Sequence, residues 1–386
     1  MSDLLLKLKE AVKRGDVAQA VFNFHAAVGH NSSGPHAQEV DEDAVFLLAS
    51  QSKFVTTVAA LQAVAQGLIG LDDDVAEHLP ELAGQQILKG YEGEKPVLVE
   101  RKNVITLRHL VTHTSGAVYG LFNPLLQRHE TERGRAISHD PDVVSRYGAP
   151  LVFEPGESWG YGTDIDWAGL LVERLAKTSL EEFMSENIWK PLGITSMTFF
   201  PEKQPDLDKR MPQISARGPD GKLVPFTIPY INEGNVACFG GQGIYSSMPD
   251  YLTFQLSLLR NDGKILPPAL VNDIFTPQLH GAAADEVWNT LQSPTGDSAA
   301  GEICPDIPFN WGLGGLLFME DDVGRRKKGT ISWGGLTNCF WSIDRGNGTA
   351  LAFGTQLLPP GDKRCEVFIS EIERAVTALA DPNASS

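Results

Sequence analysis

The residues best suited to covalent chemistry in this chain are Ser50 and Lys53, three positions apart in Ala49-Ser50-Gln51-Ser52-Lys53-Phe54-Val55. On a helix that spacing puts both side chains on one face, one turn apart. Phe54, Val55, Val58, Leu61, Val64, Ala65 and Leu68 recur at helical spacing, and Gly67 and Gly70 offer stops, so a helix is predicted here. A serine at its N-terminus lies in positive potential beside unpaired backbone N–H groups. A lysine one turn on can accept or relay the serine proton, which is one way to activate a weak nucleophile. The tetrad alone does not establish this. A serine can simply cap a helix, and Ser-x-x-Lys arises by chance in roughly every chain of this length.

Three further segments strengthen the chemical reading. Phe153 to Thr163 is a turn-rich loop ahead of a helix, and it presents Tyr161. Cys238-Phe239-Gly240-Gly241-Gln242-Gly243-Ile244-Tyr245-Ser246 is a glycine cluster suited to close backbone approach, and Ser332-Trp333-Gly334-Gly335-Leu336 ends a strand in two glycines.

These segments need elements to position them. Residues 4–14 read as an amphipathic helix and Ala20 to Val28 as one strand, and Val45 to Leu48 leads into the Ser50 helix. Residues 71–235 are rich in helical patterns and loops, including a helix from Asp164 to Lys177 and a capping box at Ser179-Leu180-Glu181-Glu182. Leu313–Met319, Thr330–Trp333, Asn338–Ile343 and Ala350–Leu357 read as strands, with Arg345-Gly346-Asn347-Gly348 turning between the last two. A helix from about Glu366 to Leu379 closes the chain. Strands at both ends around a helical middle predict an α+β fold, an antiparallel sheet flanked by helices with an inserted helical subdomain. The expected division joins residues 1–62 with 236–386 as the sheet subdomain and assigns 63–235 to the helical one, with the active site between them.

Composition narrows the partners. The chain has 386 residues, 42% of them hydrophobic, and a formal net charge of −17, which argues against nucleic acid or an anionic membrane surface. No apolar run of about 18 residues and no secretory signal is visible. Four dispersed cysteines (Cys238, Cys304, Cys339, Cys365) without zinc spacing read as free thiols, so a cytoplasmic location is expected. Asp72-Asp73-Asp74 reads as a solvated loop. No metal or organic cofactor is expected.

Together the motifs resemble the serine β-lactamase/penicillin-binding-protein superfamily, with its Ser-x-x-Lys, Tyr- or Ser-headed second motif and Lys-Thr-Gly strand. Ile105 to Gly116, with its Leu-Arg-His-Leu-Val-Thr-His-Thr-Ser-Gly core, is typical of the esterase and class C branch. Trp159 to Gly169, the Cys238–Ser246 cluster and Gly312 to Asp344 are similar to the fungal lovastatin-type acyltransferases, beside the family VIII carboxylesterases. The resemblance spans roughly residues 44–380. It implies a β-lactamase/transpeptidase-like fold and a serine acyl-enzyme catalyst of secondary metabolism. In that scheme Ser50 is the acylated nucleophile, Lys53 and Tyr161 move its proton, and the backbone N–H groups of Ser50 and Leu336 form the oxyanion hole. Trp333, Gly334, Gly335, Gly241 and Trp159 line the substrate site. The implied partners are a small-molecule ester or thioester donor and an alcohol or water acceptor, with an acyl-carrier protein as one candidate donor.

The sequence also departs from the pattern. The second motif, Tyr161-Gly162-Thr163, lacks the asparagine that β-lactamases carry, and Trp333 replaces the lysine of Lys-Thr-Gly. Both departures favour esters or thioesters over β-lactams or peptidoglycan. A third concerns the fold: relatives place a two-stranded hairpin before Ser-x-x-Lys, and only one strand is legible here. Gly156-Glu157-Ser158-Trp159-Gly160 fits a nucleophile elbow, but Pro155 precedes it, no helix follows directly, and only His280 lies downstream. His109 and His113 are expected to be structural. The rival readings are a β-lactamase or D-Ala-D-Ala peptidase, an α/β-hydrolase using Ser158, and a non-catalytic binding protein on the same scaffold.

Overall fold

The computed structural model describes residues 19–22, 26–32, 38–134, 139–227, 231–293 and 302–380, with Leu6 and Glu10 besides. The helix expected over 4–14 therefore falls largely outside the described residues. The region after it corrects the sequence reading. Ala20 to Val28 is not one strand but two, β1 (Gln19–Phe22) and β2 (Ala26–Gly29), paired antiparallel with Gln19 opposite Gly29 and Phe22 opposite Ala26. The hairpin expected of relatives is thus present, and no strand is missing. Two four-residue strands joined by three residues read in sequence as a single apolar run.

After β3 (Val45–Leu47) comes a 3₁₀ turn, Ala49–Gln51, and then α1 (Ser52–Ala65). Every residue of α1 from Ser52 to Ala63 is buried, which marks a helix at the centre of the molecule rather than on a face of it. Gly67, at φ 71°, follows its end. In the middle of the chain lie α2 (Leu107–Val111), α3 (Asp164–Ala176) and α4 (Leu180–Met184). Capping boxes open α2 at Thr106 and α4 at Ser179. Next come β4 (Tyr245–Ser247), which pairs with β3, and α5 (Met248–Arg260).

The C-terminal third supplies β5 (Phe309–Trp311), β6 (Leu316–Phe318), β7 (Ile331–Gly334), β8 (Phe340–Asp344), β9 (Thr349–Gly354) and α6 (Lys363–Ala380). With the N-terminal hairpin they form a seven-stranded antiparallel sheet in the order β2-β1-β9-β8-β7-β6-β5. Strand alternation sorts its two faces. Trp341, opposite Trp333, stacks on Phe54 of α1 at 4.2 Å. The preceding residue, Phe340, is opposite Phe353, which meets Phe368 of α6 on the other face. There Arg325 and Arg326, both buried, bond Glu373 and pin α6 down. Because helices cover both faces, β8 is buried along its whole length.

Candidate active site

Ser50 does not sit in the α-helix but in the 3₁₀ turn that leads into it. The preceding Ala49 is held at φ 47°, a left-handed conformation that costs a non-glycine residue on the order of 1 kcal/mol. This kink turns the chain out of β3 and leaves Ser50 partly exposed while Lys53 is buried at 2% exposure. The Lys53 Nζ donates to Ser50 Oγ at 3.4 Å, to the Gly241 carbonyl at 2.8 Å and to Tyr119 Oη at 3.1 Å. Three acceptors match the three N–H bonds of an ammonium.

The predicted Ser50–Lys53 pair is thus brought together, and Tyr161 joins it from the side. The amine stands 4.8 Å from the centre of the Tyr161 ring, while the Tyr161 hydroxyl accepts a hydrogen bond from the Trp333 indole N–H at 2.9 Å. Tyr161 is set in place by backbone pairing with the segment after α2. Thr163 N–H bonds Ala117 O at 2.9 Å and Tyr119 N–H bonds Tyr161 O at 3.3 Å. The approach is so close that a Cβ on Gly162 would lie 2.0 Å from the Ala117 carbonyl, which is why glycine follows the tyrosine. The same pairing sets Tyr119 beside Tyr161, ring centres 5.7 Å apart. Tyr119 is the Lys53 partner that the sequence did not reveal: a lone tyrosine three positions after Gly116 carries no spacing signal. Burial pushes its phenol well above the usual range, so it is neutral and its own proton is available to donate.

On the sheet side, Gly335 N–H is taken by the Cys339 carbonyl, whereas the Leu336 N–H has no hydrogen-bond partner among the described residues. Two expectations change. Gly241 does not offer its backbone to a ligand, because its N–H is bonded to Asp166 Oδ1 at 2.8 Å and its carbonyl to Lys53. Trp159 and Trp333 are each 2% exposed, so little of either indole is left to meet a ligand. Trp333 packs on Trp311 at 4.9 Å and on Tyr161 at 5.2 Å.

Around this centre, His113 bonds Asp164 Oδ2 through Nδ1 at 3.0 Å, and Ser115 donates to the other carboxylate oxygen. Burial pulls the His113 value down despite the carboxylate, so the imidazole is neutral. Its partner is a side chain, in a buried structural pair. His109 does accept from backbone, at the Thr106 N–H in the cap of α2. Ser158 follows a turn, not a strand, α3 starts only at Asp164, and His280 is exposed, so the elbow context is absent. Of the acidic triplet, Asp72 pairs with Arg108 at 2.7 Å, and Asp73 and Asp74 accept from nearby backbone. Among the described residues no helix is long and apolar enough to cross a membrane.

The antiparallel sheet with helices packed on both faces is the β-lactamase/transpeptidase-like fold. The chain belongs to the beta-lactamase family, whose model matches residues 12–374, and it is an enzyme of that superfamily. It is 33% identical over 392 residues to ML-236A carboxylate methylbutanoyltransferase of Penicillium citrinum, covering 97% of this chain and 94% of that protein. It is 35% identical over 364 residues to the lovastatin esterase of Penicillium rubens, covering 92% and 90%. The unliganded simvastatin synthase of Aspergillus terreus superposes with a TM-score of 0.91 at 32% identity, over 99% of this chain and 98% of that one. The relatives are acyltransferases and esterases.

Proposed function

We propose that this enzyme forms an acyl-enzyme on Ser50 from a small-molecule ester or thioester and passes the acyl group to an alcohol or to water. The observation that carries this reading is the Lys53 amine bridging Ser50 Oγ and Tyr119, with Tyr161 against it. In the attack, Ser50 Oγ bonds the acyl carbon while its proton moves to the Lys53–tyrosine group, which must present a free base for that step. The carbonyl oxygen takes the negative charge in front of the Ser50 and Leu336 N–H groups. As the tetrahedral adduct collapses, the leaving alkoxide or thiolate takes the proton. The acceptor then repeats the sequence in reverse, and Tyr161, held by the Trp333 indole, is the phenol placed to handle its proton.

The relatives' names include both a transferase and an esterase. Both outcomes share every residue here and differ only in which nucleophile reaches the acyl-enzyme. With Trp333 where a lysine would hold a carboxylate, we read the donor as an uncharged acyl group, whether carried on a small molecule or on an acyl-carrier protein. The division into a sheet subdomain (1–62 with 236–386) and a helical one (63–235) is part of the same reading. Intact-protein mass spectrometry with p-nitrophenyl butyrate or an acyl thioester, with and without an acceptor alcohol, tests it. The unsubstituted chain and Ser158→Ala should gain one acyl mass, and Ser50→Ala none. Acylation that persists in Ser50→Ala overturns the assignment, and nitrocefin turnover above the ester rate would favour a β-lactamase.

A further inference from the structure

The first turn of α3 carries a second carboxyl group that the scheme above does not use. Asp166 is fully buried. Its Oδ1 accepts from the Gly241 N–H, and its Oδ2 has no hydrogen-bond partner among the described residues. A Cβ added to Gly241 would lie 2.4 Å from that Oδ2, so the carboxyl and the glycine backbone are in direct contact. The carbonyl of the same glycine is the shortest hydrogen-bond partner of Lys53. A buried carboxylate with one oxygen unpaired is costly. Two hydrogen bonds away stands the amine whose proton traffic drives the reaction.

We propose that Asp166 is a positioning residue for Lys53: it anchors the Gly241 backbone that holds the amine against Ser50, and its charge offsets that of the ammonium across the glycine. This rests on the Ser50–Lys53 reading. The groups facing Asp166 are Lys53 from α1, Tyr119 from the segment after α2, Arg146 and Tyr147 from the short helix Val143–Tyr147, and Asp164 from its own helix. Of these, Lys53 and Arg146 are cationic and favour its ionisation, whereas Asp164 and burial oppose it. The balance leaves the carboxyl pushed up to about 6, mainly by burial, so it is ionised at neutral pH and titrates within the working range of an esterase. Ionised Asp166 attracts the Lys53 ammonium across Gly241.

The test is the pH profile of acylation, read with p-nitrophenyl butyrate. Asp166→Asn keeps the shape and the acceptor for Gly241 but removes the charge, so the acid limb of kcat should move down by about one pH unit or more while KM changes less than about twofold. Asp166→Ala also loses the anchor, and its kcat should fall by about tenfold or more across the profile. An acid limb unchanged in Asp166→Asn overturns the proposal, and Ser50-dependent acylation in the same samples shows that the Ser50 assignment survives it. If Asp166→Asn does not fold, Lys53→Met on the otherwise native chain gives an independent reading. Because the folded carboxyl lies above its usual value of 3.8, stability falls as pH rises through about 6. Without the neighbouring cation that fall should extend about one pH unit higher in thermal melts. His113 titrates with the opposite sign, losing stability toward acid, so it does not mimic this shift. A fall at the same pH in Lys53→Met also overturns the proposal.

Discussion

Asp164 and Asp166 lie two residues apart in the first turn of α3, both fully buried, yet they have different surroundings. Asp164 is saturated: His113 donates to one oxygen and Ser115 to the other. Its partners lie on the segment after α2, so the carboxylate fastens that segment, and Tyr119 with it, to the helix that follows Tyr161. Asp166 has one backbone donor and an unpaired oxygen, and it faces the Lys53 side. The first arrangement offsets the cost of burying a charge with hydrogen bonds and gains rigidity. The second leaves part of that cost standing, and such an uncompensated group is where titration can be coupled to chemistry.

The contrast can be broken at the Asp164 end. Asp164→Ala strips two buried donors of their acceptor and should cost roughly 3–5 kcal/mol of stability, read as a shifted urea midpoint. A loss no larger than for Asp166→Asn would erase the distinction between the two carboxyls. On the chemical side, Lys53→Ala and Tyr161→Phe should each cut turnover by about 10²-fold or more. Their double variant should lose much less than the product, because groups that share a proton act as one unit. Multiplicative losses would separate the amine from the Tyr161 phenol and leave Tyr119 as the phenol bonded to it. The smallest effect is expected at Trp333. Trp333→Phe keeps an aromatic ring between Trp311 and Tyr161 but removes the N–H donor, so kcat should fall by about 2–10-fold with little change in KM. A KM change with kcat intact would return the indole to the acyl pocket. The pH dependence of folding sharpens the same contrast. The depressed His113 favours the native state above about 6.5 and withdraws that support as pH falls. Asp166 acts in the opposite direction as pH rises through about 6.

Much of this was legible in the sequence where a period or a motif ran long enough. The helix behind Ser50, the Ser179 capping box and the strands around Trp333 and Trp341 all read correctly, because apolar spacing and turn chemistry agree there. Short strands escaped. Phe309–Trp311 and Tyr245–Ser247 are three residues each, and Ile87–Glu92 with Lys95–Val99 form a hairpin whose outer half is exposed and polar. The β1–β2 hairpin was read as a single strand for the same reason. At the site, Ser50, Lys53 and Tyr161 declare themselves by motif. Tyr119 and Asp166 reach Lys53 only through the pairing of 117–119 with 161–163 and through the Gly241 turn. Such contacts between distant segments leave no periodic trace in the chain. Ala49 is a different case, since no propensity places an alanine at positive φ.

The complete burial of α1 has a consequence for how the molecule opens. Its backbone amides should be among the last to exchange with deuterium, because no local excursion uncovers a helix enclosed between the sheet and α3. Lys53 is built on that slow-exchanging body, and Ser50 at its threshold. Leu121 and Phe122, 76% and 55% exposed just past Tyr119, lie outside that enclosed body. Leu121 and Phe122 can thus be substituted without loosening the spacing of Ser50 and Lys53.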